Sequence, residues 1–336
     1  MFVSRRLAPS TIGALSFALA LSAAGTVVAQ EGKDARIAYF LQGNTSYNQA
    51  SAEKATEVAT AKGASINVLS GDFDPSKQFS QCQDAITTGR YNAFVIYPVD
   101  GAGILPCVRQ AISAGIKVVA LDSPLGPQFT IEPQVEGLTG SVLFPEPDDA
   151  EASFSMVKKA CEGKDPCNTV YIIGSRAAAY DAAKLKEINR LYAENPTIKL
   201  VASGASDYSA DGGLRVARDI LVANQDIHVI FANDDDTIIG VEQAVSDTPL
   251  KGKVALIGSG ASYIGVERIR AGRWFGSKVS LPQTDAEIAV NMAIDAVNGK
   301  AIEKSAVSVP EISPVGPVVT RENADKFEAQ WGVQTN

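Results

Sequence analysis

The densest group of acidic side chains in this chain is Asn233-Asp234-Asp235-Asp236, which closes an apolar run and opens a helical pattern. Three chemistries are open to it. An Asp-x-Asp pair could hold a divalent metal. A carboxylate at a helix start can accept from free N–H groups and complement the helix dipole. A carboxylate aimed into a cleft can bind ligand hydroxyls. The placement suggests that Asp235 and Asp236 cap the helix and that Asp234 reaches a ligand. Asp122, after Val118-Val-Ala-Leu121, has the same position in the other half of the chain. Two carboxylates at strand ends would also suit a glycosidase acid and base, if their separation allowed it. Tyr47, Tyr97 and Tyr208 fall in loops of the same kind. Flat rings beside hydrogen-bonding groups suit a sugar or polyol, whose C–H faces pack on aromatics while its hydroxyls are read by polar side chains.

Other chemistries find little support. The single histidine, His228, begins the apolar run His228-Val-Ile-Phe231, where a structural role is expected. One histidine excludes zinc sites built on two or three of them and would have to carry any Ser-His-Asp triad alone. Gly258-Ser-Gly260-Ala-Ser-Tyr263 lacks the third glycine of a dinucleotide fingerprint and reads as a tight turn. Neither a GxxxxGK[ST] loop nor a GxSxG elbow occurs. No metal or cofactor is expected.

The elements that must position these residues alternate. Strands are predicted at 36–41, 65–70, 93–97 and 117–121, with helices at 47–62, 75–88 and 102–114 between them. Gly63, Gly89 and Gly115 follow the helices as left-handed stops. Between Asp122 and Pro147 five prolines interrupt the pattern, and no regular element is expected there. The alternation then restarts and runs to a last helix at 285–298, followed by a Pro-rich apolar tail at 308–320. Such a pattern means parallel sheets covered on both faces. The expected fold is α/β, with two doubly wound parallel-sheet lobes. Ligands of such sheets sit beyond the carboxyl ends of the strands.

The 336 residues are enough for two lobes. The first 29 read as a secretory signal: Arg5 and Arg6, an apolar run from Leu15 to Ala24, and small residues up to Ala29. Cleavage after Ala29 changes the charge from -8 to 28 minus 38, or -10. An acidic chain has no general attraction for nucleic acid. Export makes disulfides the expected state of Cys82, Cys107, Cys161 and Cys167. Three pairings are possible. The turn-like spacing of Cys161 and Cys167 suits a local bridge, leaving Cys82 for Cys107.

Nearly the whole mature chain resembles the ribose-type periplasmic sugar-binding proteins, the solute receptors of ABC importers with the type I periplasmic binding fold. The resemblance is carried by Ile37–Leu41 leading to Asn44-Thr-Ser-Tyr-Asn48, by Asp74-Pro-Ser-Lys-Gln78 and by Phe94-Val-Ile-Tyr-Pro98. It continues in Gly115–Asp122, Val229–Asp236 and Val318-Val-Thr-Arg-Glu-Asn-Ala-Asp-Lys-Phe327. It implies ligand contacts from Thr45, Tyr47, Asn48, Tyr97, Asp122, Tyr208 and Asp234. Ser123 stands where the family often has Arg, and Gly260 where it often has a ligand-binding Asp. Asp181 lies in Tyr180-Asp181-Ala182, a stretch without the family's Arg. These departures point away from ribose to another monosaccharide or a small polyol. The resemblance also implies a three-strand hinge between an N-terminal lobe (33–142 plus 282–310) and a C-terminal lobe (143–281 plus 311–336), a periplasmic monomer, and a membrane ABC permease as partner. The competing expectations are an exported carbohydrate-active enzyme using Asp122 and Asp234, and a receptor for nucleosides or a signal molecule on the same fold.

Overall fold

A computed structural model of the chain describes residues 1–3, 34–145, 148–176 and 178–333. The expected signal segment and its cleavage point lie outside the described residues. Among those described, no helix is long and apolar enough to cross a membrane.

The first half builds β1 (Arg36–Leu41), α1 (Ser46–Ala61), β2 (Ser65–Ser70), α2 (Pro75–Thr87), β3 (Ala93–Ile96), α3 (Leu105–Ser113), β4 (Lys117–Asp122) and β5 (Gly140–Leu143). The second builds α4 (Asp148–Ala160), β6 (Cys167–Ile173), α5 (Ala179–Glu194), β7 (Ile198–Ala205), α6 (Ala210–Ala223), β8 (Val229–Ala232) and α7 (Asp235–Ser246). It goes on through β9 (Ala255–Gly260), α8 (Tyr263–Arg270), β10 (Gly276–Val279), α9 (Pro282–Val297), β11 (Ala306–Ser308), α10 (Val309–Ile312) and β12 (Val318–Thr320).

Two six-stranded sheets result, with orders β11-β5-β4-β3-β1-β2 and β12-β10-β9-β8-β6-β7. Every adjacent pair is parallel except β10 with β12. Central strands such as β3 and β8 are buried at every residue, as strands covered on both faces must be. Each sheet carries an apolar cluster on either face; the α9 residues Ala286, Ala289, Val290 and Ala293 pack into the first sheet's core. The chain therefore passes between the sheets three times: from β5 to α4, from β10 to α9, and from β11 to β12.

Local chemistry explains the boundaries. Thr45 caps α1, its Oγ1 accepting from the Asn48 N–H at 3.2 Å. Asp74 caps α2 ahead of Pro75, accepting from the Ser76 and Lys77 N–H groups; such caps each contribute about 1 kcal/mol. Gly63, Gly89 and Gly115 end α1 to α3 with φ of +77°, +61° and +81°. One expectation fails: the Pro-rich 122–147 stretch contains β5. The 308–320 tail supplies β12 after β11 has joined the other sheet. Strands of three or four residues at or next to a sheet's edge need only a few ladder bonds, so prolines outside them do not prevent them.

The cysteines pair as Cys82 with Cys107, between α2 and α3, and as Cys161 with Cys167, between the end of α4 and β6.

Candidate functional site

The carboxyl ends of the two sheets face each other across a cavity of about 90 Å³. That is room for several water-sized groups. The first sheet's side contributes Thr45, Tyr47 and Asn48 from the start of α1, Tyr97 after β3 and Asp122 at the end of β4. The second contributes Tyr208 before α6, Asp234 after β8 and Gly260 at the end of β9. These eight sequence-chosen residues converge on one space.

Two others do not reach it. The Ser123 N–H turns back to the Leu121 carbonyl at 2.6 Å, and the residue is buried without lining the cavity. Asp181, fully buried, stands behind the wall. Its carboxylate accepts from the Gly174 and Ser175 N–H groups, the Tyr208 hydroxyl (2.6 Å) and the Asn233 amide (2.5 Å). It fixes the residues that face the cavity and does not face it itself.

The acidic cluster divides its work differently from the sequence expectation. Asp234, not Asp235 or Asp236, caps α7, with Oδ1 accepting the Thr237 N–H at 2.7 Å and Oδ2 the Thr237 hydroxyl at 2.6 Å. It still borders the cavity. Burial raises its carboxyl to about 7, against the two Thr237 hydrogen bonds. Asp235 is buried and turns toward β9 and β10, accepting from the Ser262 N–H and from the Ser262 and Ser277 hydroxyls. Asp236 crosses the cleft and accepts from the Ser46 hydroxyl at 2.7 Å. The difference is geometric: in a helix's first turn, three successive side chains point in three directions.

Asp122 has φ of +56°, a left-handed conformation that aspartate tolerates better than most residues. Its Oδ1 accepts from the Tyr47 hydroxyl at 2.9 Å, and its buried Oδ2 has no partner. Burial lifts its carboxyl to about 6, against the Tyr47 hydrogen bond and the charge of Lys278. Asp285, in the first turn of α9, lines the same wall with neither oxygen partnered. Burial, then the neighbouring Asp122 charge, push it well above the usual carboxylate range. Asn48 adds a buried, unpartnered Oδ1. Each such acceptor costs about 1–3 kcal/mol until a donor arrives.

Several cavity residues escaped the sequence reading: Phe73, Asp149, Lys278, Asp285 and Trp331. Asp149 lies 2.5 Å from the Lys184 ammonium and 3.0 Å from that of Lys278, and it accepts from the Tyr180 hydroxyl. Burial alone would raise its carboxyl, but the two ammonium groups hold it down at about 2. Lys278 also donates to Ser280 and lies 4.5 Å above the Phe144 ring. A lone lysine in the buried strand Gly276-Ser-Lys-Val279 was the available signal, and β10 was not among the expected strands. Asp149 and Asp285 stand in the first turns of α4 and α9, where acids are common for the helix dipole alone.

The two walls touch. Besides Ser46 and Asp236, the Phe73 ring stacks on Tyr208 with centroids 5.7 Å apart, and Tyr47 meets Trp331 edge-on at 5.6 Å. The cleft is therefore shut around its cavity. Among the described residues, no group of three or more His, Cys, Asp or Glu is placed to hold a metal ion. An ion bridging Asp234 and Asp236 would have to displace the cap and the cross-cleft bond.

Comparison with known proteins agrees with this geometry. The D-xylose-binding periplasmic protein of Escherichia coli (strain K12) is 28% identical over 245 residues, 70% of each chain. The xylitol-binding protein of Mycolicibacterium smegmatis is 26% identical over 273 residues, 79% of this chain and 72% of the relative. A Bacillus halodurans C-125 ABC transporter solute binding protein, solved with bound myo-inositol, superposes with a TM-score of 0.75 at 17% identity, covering 89% of this chain and 99% of that one. The family model described as periplasmic binding protein domain matches residues 37–301. With two parallel-sheet lobes, three passages between them and a cavity where the strands end, the chain belongs to the periplasmic binding protein family.

Proposed function

We propose that this protein is the periplasmic receptor of an ABC importer and captures a monosaccharide or small polyol between its lobes by hinge closure. The lobes are residues 33–142 with 282–310, and 143–281 with 311–336. The observation that carries the reading is the shut cavity whose first-lobe wall presents unpartnered oxygens of Asn48, Asp122 and Asp285 beside Tyr47 and Tyr97. A wall of acceptors needs a guest made of donors, and hydroxyls supply them. Thr45, Tyr47, Asn48, Tyr97, Asp122, Tyr208, Asp234 and Gly260 are the proposed contacts, with Asp181 holding the second wall in place.

Binding energy supports closure in the usual way: the ligand stabilises the shut form in proportion to the contacts it makes only there. Micromolar affinity corresponds to about -8 kcal/mol, within reach of several such hydrogen bonds and ring contacts. The closed surface is what a membrane permease can recognise. Relatives named for xylose and xylitol support a small polyhydroxylated ligand. The signal segment, cleaved after Ala29, delivers the protein to the periplasm, where it acts as a monomer. No chemistry is performed on the guest.

Thermal-shift screening against pentoses, hexoses, polyols and nucleosides, followed by calorimetry with recovery of the ligand, tests this. The expected result is stoichiometric heat from a sugar or polyol returned intact. Turnover would establish the enzyme reading, and a response to nucleosides alone would replace the ligand class.

A further inference from the structure

We propose that Asp285 and Asp122 form a carboxyl pair that selects a neutral ligand bearing two adjacent hydroxyls, one hydroxyl donating to each carboxyl group. This rests on the sugar-capture reading and narrows it to a named part of the site.

The Asp285 carboxylate has little structural employment: the Leu281 N–H at the head of α9 bears on it without reaching a hydrogen bond. The backbone N–H of Asp285 bonds the Leu281 carbonyl as an ordinary helical residue would, and the free Gln283 and Thr284 N–H groups at the start of α9 are capped by Gln330 Oε1, not by Asp285. The side chain is 1% exposed, lines the cavity and leaves both oxygens without a donor. A first-turn acid serving only the helix dipole would normally sit in water, where it needs no partner. Asp122 beside it keeps one oxygen for Tyr47 and leaves the other open. Three buried carboxyl oxygens of residues lining one cavity thus lack a hydrogen-bond partner, and the hydroxyls of a diol are the kind of donor they can take.

The surrounding charge favours a neutral guest. The groups acting on Asp285 are Asp122 on β4 and Lys278 on β10; Asp285 in turn acts on the hydroxyls of Tyr39 on β1 and Tyr47 on α1. Burial and mutual repulsion both disfavour the charged form of such a pair. Asp149 is held in ion pairs with Lys184 and Lys278, and Asp234 and Asp236 face the cavity from the opposite wall. Lys278 bears on Asp285 and lines the same cavity, so an ammonium placed on the pair would meet a like charge there.

Calorimetry on the full mature protein tests the assignment with wild type, Asp285→Asn and Asp285→Ala. The probes are pentoses, hexoses and polyols, then the deoxy and amino analogues of the tightest of them. Asp285→Ala is expected to lose at least about tenfold in affinity for that sugar, as removal of a buried hydrogen-bond partner requires. It should also lose wild type's preference over one deoxy analogue. Asp285→Asn, which keeps a donor and an acceptor in the same place, should stay within about fivefold of wild type, well short of the alanine loss. Undiminished binding by Asp285→Ala overturns the proposal while sugar capture stands; so does an amino analogue that binds more tightly than its parent. A wild type silent to every sugar and polyol overturns both.

Discussion

The Tyr47 hydroxyl donates to Asp122 Oδ1 at 2.9 Å, so one end of the carboxylate is fixed and the other is aimed into the cavity. The bond joins the first turn of α1 to the end of β4, two elements whose relative position is set by the sheet. Tyr47 also meets Trp331 edge-on across the cleft. One side chain therefore orients the proposed ligand acceptor and touches the opposite wall.

Tyr47→Phe keeps the ring contact and removes the hydroxyl. Asp122 is then left buried with two unpartnered oxygens, and ligand affinity should fall by about tenfold, the equivalent of one lost hydrogen bond. Calorimetry with the sugar identified by screening reads this directly. An unchanged affinity would show that Asp122 needs no orienting partner.

Asp122→Ala removes the acceptor itself, and the expected result is no ligand-induced thermal shift with the apo protein still folded. Deleting the carboxylate leaves the buried Tyr47 hydroxyl without its acceptor, a cost of about 1–3 kcal/mol that is offset in part because a half-partnered carboxylate is itself expensive to bury. Thermal melts with and without sugar separate the two effects. Full affinity in this variant would mean that the ligand sits elsewhere in the cleft.

Asp235→Ala should behave in the opposite sense. Its carboxylate takes the Ser262 N–H and two serine hydroxyls inside the second lobe, all of them buried. Removing it strands three donors, and a loss of about 3 kcal/mol or more in stability is expected. Denaturant unfolding measures it. Loss of sugar binding with no loss of stability would return Asp235 to the ligand site.

These two variants mark where the sequence was informative. Alternating apolar runs and amphipathic segments revealed both sheets and most helices, because burial on both faces leaves a continuous apolar signature in a strand. Loops at strand ends then singled out Tyr47, Asp122 and Asp234. What stayed hidden depends on direction. Nothing in Asn233-Asp234-Asp235-Asp236 tells which carboxylate caps, which enters the core and which crosses the cleft, since that follows from the phase of α7 against its neighbours. Lys278 and Asp285 were hidden for another reason: each satisfies a bland local role in sequence, and only the folded chain shows that Lys278 pairs with Asp149 and that both Asp285 oxygens lack a hydrogen-bond partner among the described residues.

The buried carboxyls also set a pH dependence. Asp122 and Asp235 are raised to about 6 and Asp234 to about 7, each chiefly by burial. Between the ordinary carboxylate range and these values the folded chain binds more protons than the unfolded one. Stability therefore falls as pH rises through that window. Asp149 runs the other way, but its carboxyl, held at about 2 by Lys184 and Lys278 despite its burial, gives up its stabilisation only in stronger acid. The apo protein should melt at a higher temperature at pH 5 than at pH 8. A melt scan in matched ionic strength checks this, and a midpoint that climbs steadily from pH 5 to pH 8 would contradict the burial of these groups.

Gly260 offers the sharpest test of how the cleft is shaped. Its φ is +121°, a conformation open to glycine and strained for other residues, and a Cβ there would lie 2.2 Å from Cζ2 of Trp331. Its carbonyl accepts from the Trp331 indole at 2.7 Å, so the missing side chain and the peptide together seat that ring. The ring lines the cavity and meets Tyr47 from the other lobe. Gly260→Ala must push the indole aside, which strains the backbone and breaks the edge contact. The expected outcome is a lower apo melting temperature together with at least tenfold weaker sugar binding, on the scale of one lost hydrogen bond or aromatic contact. Trp331→Phe separates the causes: it relieves the clash site without straining Gly260, so its melting temperature should stay closer to wild type while affinity still falls. Equal affinity in both variants and wild type would remove the C-terminal segment from the binding site and leave it a purely structural strap.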